Sequence, residues 1–181
     1  MTGPEKIMLI RHGEKAVPEV PNVHGIDEDG NDDDHSLIVR GWQRAGALVA
    51  FFAAPTRPGI AVPTTIFAAA PDPDQVQGDE GQSRRPVQTV TPLRTKLGAA
   101  AAWVTHPVND LDALVADIRT RSGCVLVSWE HKRIPLIAAA FVSGPPQWQD
   151  VFDQVWLLDR TADAYRLTIV NQDLLAGDGA A

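Results

Sequence analysis

The stretch Ile7-Met8-Leu9-Ile10-Arg11-His12-Gly13-Glu14-Lys15 decides how the rest of the chain is read. Four consecutive apolar residues between charges suit a strand buried on both faces, because a strand with one wet face would alternate apolar and polar positions. Gly13 stops the strand, so the pair Arg11-His12 stands where a buried strand opens into a loop. Two further segments repeat that arrangement. Thr64-Thr65-Ile66-Phe67-Ala68-Ala69 reads as a second strand, and beyond the polar loop from Pro71 to Gln82 come Ser83-Arg84-Arg85. Val125 to Trp129 reads as a third strand and runs directly into Glu130-His131.

Helical periods separate these strands. Residues 16 to 36, rich in Pro, Gly, Asp and Asn, form a loop, and Ser36 is placed to cap a helix from Leu37 to Ala54. That helix carries Leu37, Trp42, Ala45, Leu48, Val49 and Phe52 at helical spacing and ends before Pro55. A second helix starts at Arg85, with Pro86 in the first turn, where a missing N–H costs little; Ala99 to Trp103 extends or follows it. Leu111 to Arg121 repeats the helical period and is ended by Gly123. Ile134 to Val142 reads as a helix, and Val151 to Leu158 and Tyr165 to Val170 as closing strands about a turn at Asp159 to Ala164. The small, polar tail 175–181 is expected to fray. Strands alternating with helices predict an α/β fold with a mostly parallel sheet, whose ligands sit at the carboxyl ends of the strands. At 181 residues the chain is expected to form a single domain, 1–181.

Composition narrows the classes of partner. Sixteen Lys and Arg against 23 Asp and Glu leave a net charge of −7. Such a surface repels phosphate backbones and anionic lipid, so broad binding to nucleic acid or to a membrane surface is not expected. No apolar stretch approaches the ~20 residues of a membrane span, and the N-terminus carries no signal-peptide pattern, so a soluble, cytoplasmic protein is expected. Cys124, the single cysteine, lies in the apolar run Cys124-Val125-Leu126-Val127 and reads as buried filler. Asp27 to His35 holds many carboxylates but fails the calcium-loop pattern at its sixth and twelfth positions, Asp32 and Ile38, and reads as a solvated loop or a lid. His24, His35 and His106 lie in loops and receive no role.

The three strand ends carry compatible chemistry. A neutral imidazole is a good nucleophile near pH 7, and an adjacent guanidinium keeps its lone pair free while offering two hydrogen bonds to an anion. Gly13 lacks a Cβ and would let a ligand approach the backbone. Arg85 stands at a helix N-terminus, where free N–H groups and the dipole already favour an anion. His131 supplies a second imidazole at the same edge, able to donate to a phosphoryl oxygen.

Taken with their order and spacing, these residues resemble the histidine phosphatase superfamily, the phosphoglycerate-mutase-like proteins. Leu9-Ile10-Arg11-His12-Gly13-Glu14-Lys15 resembles the RHG signature. Ser83-Arg84-Arg85-Pro86-Val87-Gln88-Thr89 is similar to the SxxxRAxQT element, and Val125 to His131 to the strand that ends in the second histidine. Arg40-Gly41-Trp42-Gln43-Arg44-Ala45 resembles the first helix of the family. The resemblance spans about residues 6 to 170. It implies a three-layer α/β/α sandwich and a two-step phosphoryl transfer with His12 as nucleophile. Arg11, Arg85 and His131 would form the cationic pocket. Apart from the resemblance, Gly13 is expected to contact substrate through its backbone, and Lys132 either holds a second anionic group of the substrate or is a plain surface charge. Neither metal nor cofactor is implied. The expected substrate is a phosphomonoester, either a small phosphorylated molecule or a phosphoprotein; a phosphomutase and a catalytically weak phosphate-ligand binding protein are the alternatives.

The chain departs from the family pattern in three places. About a dozen loop residues separate the second strand from Ser83. Lys132-Arg133 follow the second histidine, where small residues are usual. No Glu occurs between Arg94 and Arg121, where many members carry the general acid. Glu130, beside the second histidine, and Asp110, which equally suits a helix cap, are the candidates for that role; Glu130 has an orienting or structural ion pair as its other reading. Glu14 is expected to pair locally.

Overall fold

Residues 3–72, 79–162 and 164–179 are described by the structure of the chain, a computed structural model. Strand β1 (Lys6–Arg11) lies at the centre of a six-stranded sheet whose other strands are β2 (Thr65–Ala70), β3 (Ala102–Pro107), β4 (Cys124–Trp129), β5 (Gln154–Arg160) and β6 (Tyr165–Asn171), in the order β3-β2-β4-β1-β5-β6. The first four strands run parallel, with Ile10 opposite Ser128 and Ala68 also opposite Ser128, whereas β5 and β6 are antiparallel. The continuous apolar run of β1 has the meaning its sequence suggested. Ile7 and Leu9 join one core, with Leu114, Ile118, Ile134 and Ile137, and Met8 and Ile10 join the other, with Leu48, Phe52, Val90 and Leu93.

Helices α1 (Val39–Ala53) and α3 (Arg85–Leu97) therefore cover one face, and α4 (Leu111–Thr120) and α5 (Ile134–Ala139) the other, giving three layers; α2 (Asp79–Gln82) is a single turn. Four expectations need correction. Ser36 does not cap α1: the helix starts after Ile38 without a side-chain cap, and the Ser36 hydroxyl donates to Asp33 and accepts from Gln88. The alanine-rich stretch after α3 divides: Gly98–Ala100 form one 3-10 turn, and Ala102 and Trp103 already belong to a strand. Gly98, at φ 54°, closes α3, and β3 follows as an edge strand, half exposed and so without the apolar run that marks the central strands. Residues 151–153 lie outside β5, in a loop that arches over the end of β1. The tail is docked as far as Gly179, because Asp178 reaches buried Arg44 on α1 and Gly179 N–H donates to Asp153. Residues 73–78 of the predicted polar loop, Asp163 of the closing turn, and 180–181 of the tail lie outside the described residues. Among the described residues no helix is long and apolar enough to cross a membrane.

Candidate active site

The parallel strands β1, β2 and β4 end at one edge, and their register brings the predicted residues together there. His12 continues the β1–β4 ladder one residue past Arg11, its N–H donating to the Trp129 carbonyl at 3.1 Å. One cavity of about 50 Å³ is lined by His12, Lys15, Ser83, Arg85, Glu130, His131 and Lys132, with Ala69, Pro86 and Val108 as apolar wall. Residues from five distant parts of the sequence thus face a space the size of a small anion.

His12 is 4% exposed. Its Nδ1 lies 2.7 Å from the Gly13 carbonyl, an acceptor only, so Nδ1 carries the proton and Nε2 the lone pair. Burial pushes the imidazole pKa down to about 3, and the charges of Arg11, Arg85 and Lys15 push the same way. The ring is therefore neutral at pH 7, in the tautomer a nucleophile needs.

Arg85 is held by backbone. Its Nε donates to the Ser36 carbonyl at 3.2 Å, Nη2 to the Asp34 carbonyl, and Nη1 reaches Ser83 Oγ at 3.4 Å. The acidic loop before α1 thus has a structural use that its composition did not reveal. Asp27 accepts from the N–H groups of Asp29 and Asn31, Gln88 grips Leu37 N–H, and the carbonyls of 34 and 36 aim the guanidinium. Thr89, one turn beyond Arg85, accepts the Gly13 N–H at 2.8 Å and donates to the Arg85 carbonyl at 2.7 Å.

Glu130 Oε1 accepts from the Lys132 N–H at 3.0 Å and Oε2 from Arg133 Nη1 at 3.2 Å. His131 Nδ1 also lies 3.0 Å from Oε1, but without the alignment of a hydrogen bond. Burial and the charge of Arg11 lower the His131 pKa, against the opposing carboxylates of Glu130 and Asp150. Asp110 caps α4 by accepting the Ala113 N–H and does not line the cavity.

Two site expectations change in detail. The space a Cβ would fill at Gly13 is taken by α1, with Gly41 O at 3.0 Å and Gly41 Cα at 3.2 Å, so this glycine admits a helix rather than a ligand. Arg11, expected in the pocket wall, does not line the cavity. Its Nη1 donates to Asp150 Oδ1 at 2.7 Å, its guanidinium carbon lies 3.9 Å from the Phe152 ring centroid, and its buried Nε has no hydrogen-bond partner among the described residues. Asp150, Phe152 and Lys15 were not singled out from sequence. The first two belong to a segment read partly as strand, and only the paired prolines 145 and 146 upstream signalled a loop there. Glu14 pairs at long range, with Arg44 and Arg40 of α1. Cys124 is buried, which raises its thiol pKa to about 12, away from nucleophilic use.

No family model and no curated protein sequence matches the chain. Among solved structures it is similar to the protein histidine phosphatase SixA complexed with tungstate, with a TM-score of 0.59 over 92% of this chain and 97% of that one, at 11% identity. The chain has the fold of SixA, the phosphoglycerate-mutase-like fold. At that identity the likeness is one of architecture.

Proposed function

We propose that the chain is a metal-independent phosphatase that transfers a phosphoryl group from a phosphomonoester or a phosphoprotein to His12 and then to water. The observation that carries this reading is the buried neutral His12, with its proton fixed on Nδ1, in a cavity shared with Arg85 and His131. Nε2 attacks phosphorus, the bond from phosphorus to the leaving atom breaks, and water then attacks the phosphohistidine to release inorganic phosphate. The phosphoryl group in flight carries its charge on equatorial oxygens, so Arg11, Arg85, His131 and Lys132 act by position and charge. Glu130 orients His131 and Lys132 or protonates the leaving atom.

A second reading narrows the substrate to a phosphorylated histidine of a protein, as the name of SixA says of that enzyme. It is favoured by the engagement of both Glu130 oxygens, because a nitrogen leaving group needs less help from a carboxylic acid than an alkoxide does. The fold places no constraint on cellular location.

Hydrolysis of p-nitrophenyl phosphate tests the enzyme reading, since that leaving group needs little acid catalysis. Turnover is expected in the unaltered chain and should vanish in His12→Ala; normal turnover in the variant removes His12 from the mechanism. Faster hydrolysis of a phosphohistidine peptide than of a phosphoserine peptide would select the second reading.

A further inference from the structure

We propose that Asp150 is an internal anion that holds the Arg11 guanidinium until a phosphoryl group displaces it, and so sets how tightly the site binds phosphate. The inference rests on the phosphatase reading of the same site. The two partners of this ion pair are unlike. The Arg11 side chain is 3% exposed, whereas that of Asp150 is 88% exposed, although their atoms are 2.7 Å apart. A surface carboxylate therefore reaches inward to a buried cation that lines no part of the catalytic cavity while so covered. The charge of Lys15, which does line that cavity, also acts on Asp150, so its carboxylate sits between two cations, Arg11 and Lys15. A carboxylate and a phosphoryl group present the same acceptors to a guanidinium fork.

The asymmetry gives the exchange its direction. Released into water, an exposed carboxylate loses little, because its pair was already screened and its hydration is restored. A buried guanidinium left without an anion loses much more. The pair therefore stays closed in the empty site and opens when another anion takes its place. Arg11 also has capacity to spare: Nε is buried without a hydrogen-bond partner, so the guanidinium has a donor for an incoming oxygen beyond the one that Asp150 uses. Phe152 packs its ring against the guanidinium and limits how far the cation can follow the departing carboxylate. Asp150 stands in a loop without helix or strand, between α5 and β5, where a change of side-chain rotamer is enough to release it.

The test is Asp150→Asn, a change at an exposed position that threatens no core contact. Binding of inorganic phosphate by calorimetry, and its inhibition of p-nitrophenyl phosphate hydrolysis, should both tighten about fivefold, the upper range for a pair with one exposed member. KM should fall with them while kcat stays level or drops. Glu5→Gln, the same loss of charge at the opposite end of β1, should change neither value. Phosphate binding that is unchanged or weaker in Asp150→Asn, in a chain that hydrolyses the ester, overturns the inference and leaves the phosphatase reading intact. A chain that neither binds phosphate nor hydrolyses the ester overturns both.

Discussion

Arg11 and Arg44 are both buried arginines, and the molecule treats them in opposite ways. Arg44 donates to both oxygens of Glu14, to both oxygens of Asp178 and to Gln172, and these partners raise its pKa despite burial. Arg11 has one carboxylate from the surface, a long contact to the Val151 carbonyl, an aromatic face and an idle Nε, and burial lowers its pKa. A larger cavity, about 360 Å³, lies beside Arg44, yet both arginines lining it, Arg40 and Arg44, are already held by Glu14 and Asp178. Burial alone thus does not mark a functional arginine. What distinguishes the two is whether the surrounding groups already satisfy the charge.

The largest effect that would sharpen this contrast is on stability. Arg44→Ala leaves buried Glu14 and Asp178 with only the partly exposed Arg40 as cation and should lower unfolding free energy by about 3 kcal/mol, measured by denaturant titration. Arg11→Ala should cost about 1 kcal/mol or less, because its carboxylate partner is exposed, but should reduce phosphatase turnover at least ~10²-fold. Equal stability losses in the two variants would break the comparison. A smaller effect is expected at Thr89. Thr89→Val strands the Gly13 N–H and should cost about 1–3 kcal/mol of stability, with a loss of kcat as well; an unchanged melting temperature would show that this N–H finds another acceptor.

The smallest effect is visible only in acid. Burial raises the pKa of Asp178, but the hydrogen bonds from Arg44 and from the Leu174 and Leu175 N–H groups outweigh it and hold the carboxyl at about 2, below its usual 3.8. A carboxyl depressed in the folded state adds stability that is complete above its unfolded pKa and is lost as pH falls from about 4 towards 2. Asp178→Asn should flatten the stability profile across that interval. An unaltered profile would show that Asp178 is not a main contributor to acid sensitivity.

The central strands and the three long helical periods were legible because burial on both faces, or on one stripe, writes a pattern into the sequence; α5 ends at Ala139, short of the expected Val142. His12, Arg85, His131 and Glu130 were legible because each directly follows a strand or opens a helix at the same sheet edge. Strand β3 was not, since an edge strand with mixed exposure has no such pattern. The docking of Asp178 on Arg44 could not be read either: the two stand 134 residues apart, and nothing local distinguishes a carboxylate that ends in the core from one that ends in water. Asp150 was hidden for the same reason. Its neighbours in sequence are Gln149 and Val151, but the groups that act on its charge come from two other segments, residues 11–15 and His131.

The hydroxyl of Thr89 ties the backbone beside His12 to the first turn of the helix that carries Arg85. The His12 ring and the Arg85 guanidinium thus share one mechanical reference. A shift of the strand end is passed to the helix through this hydroxyl, a coupling that two separately anchored segments would lack.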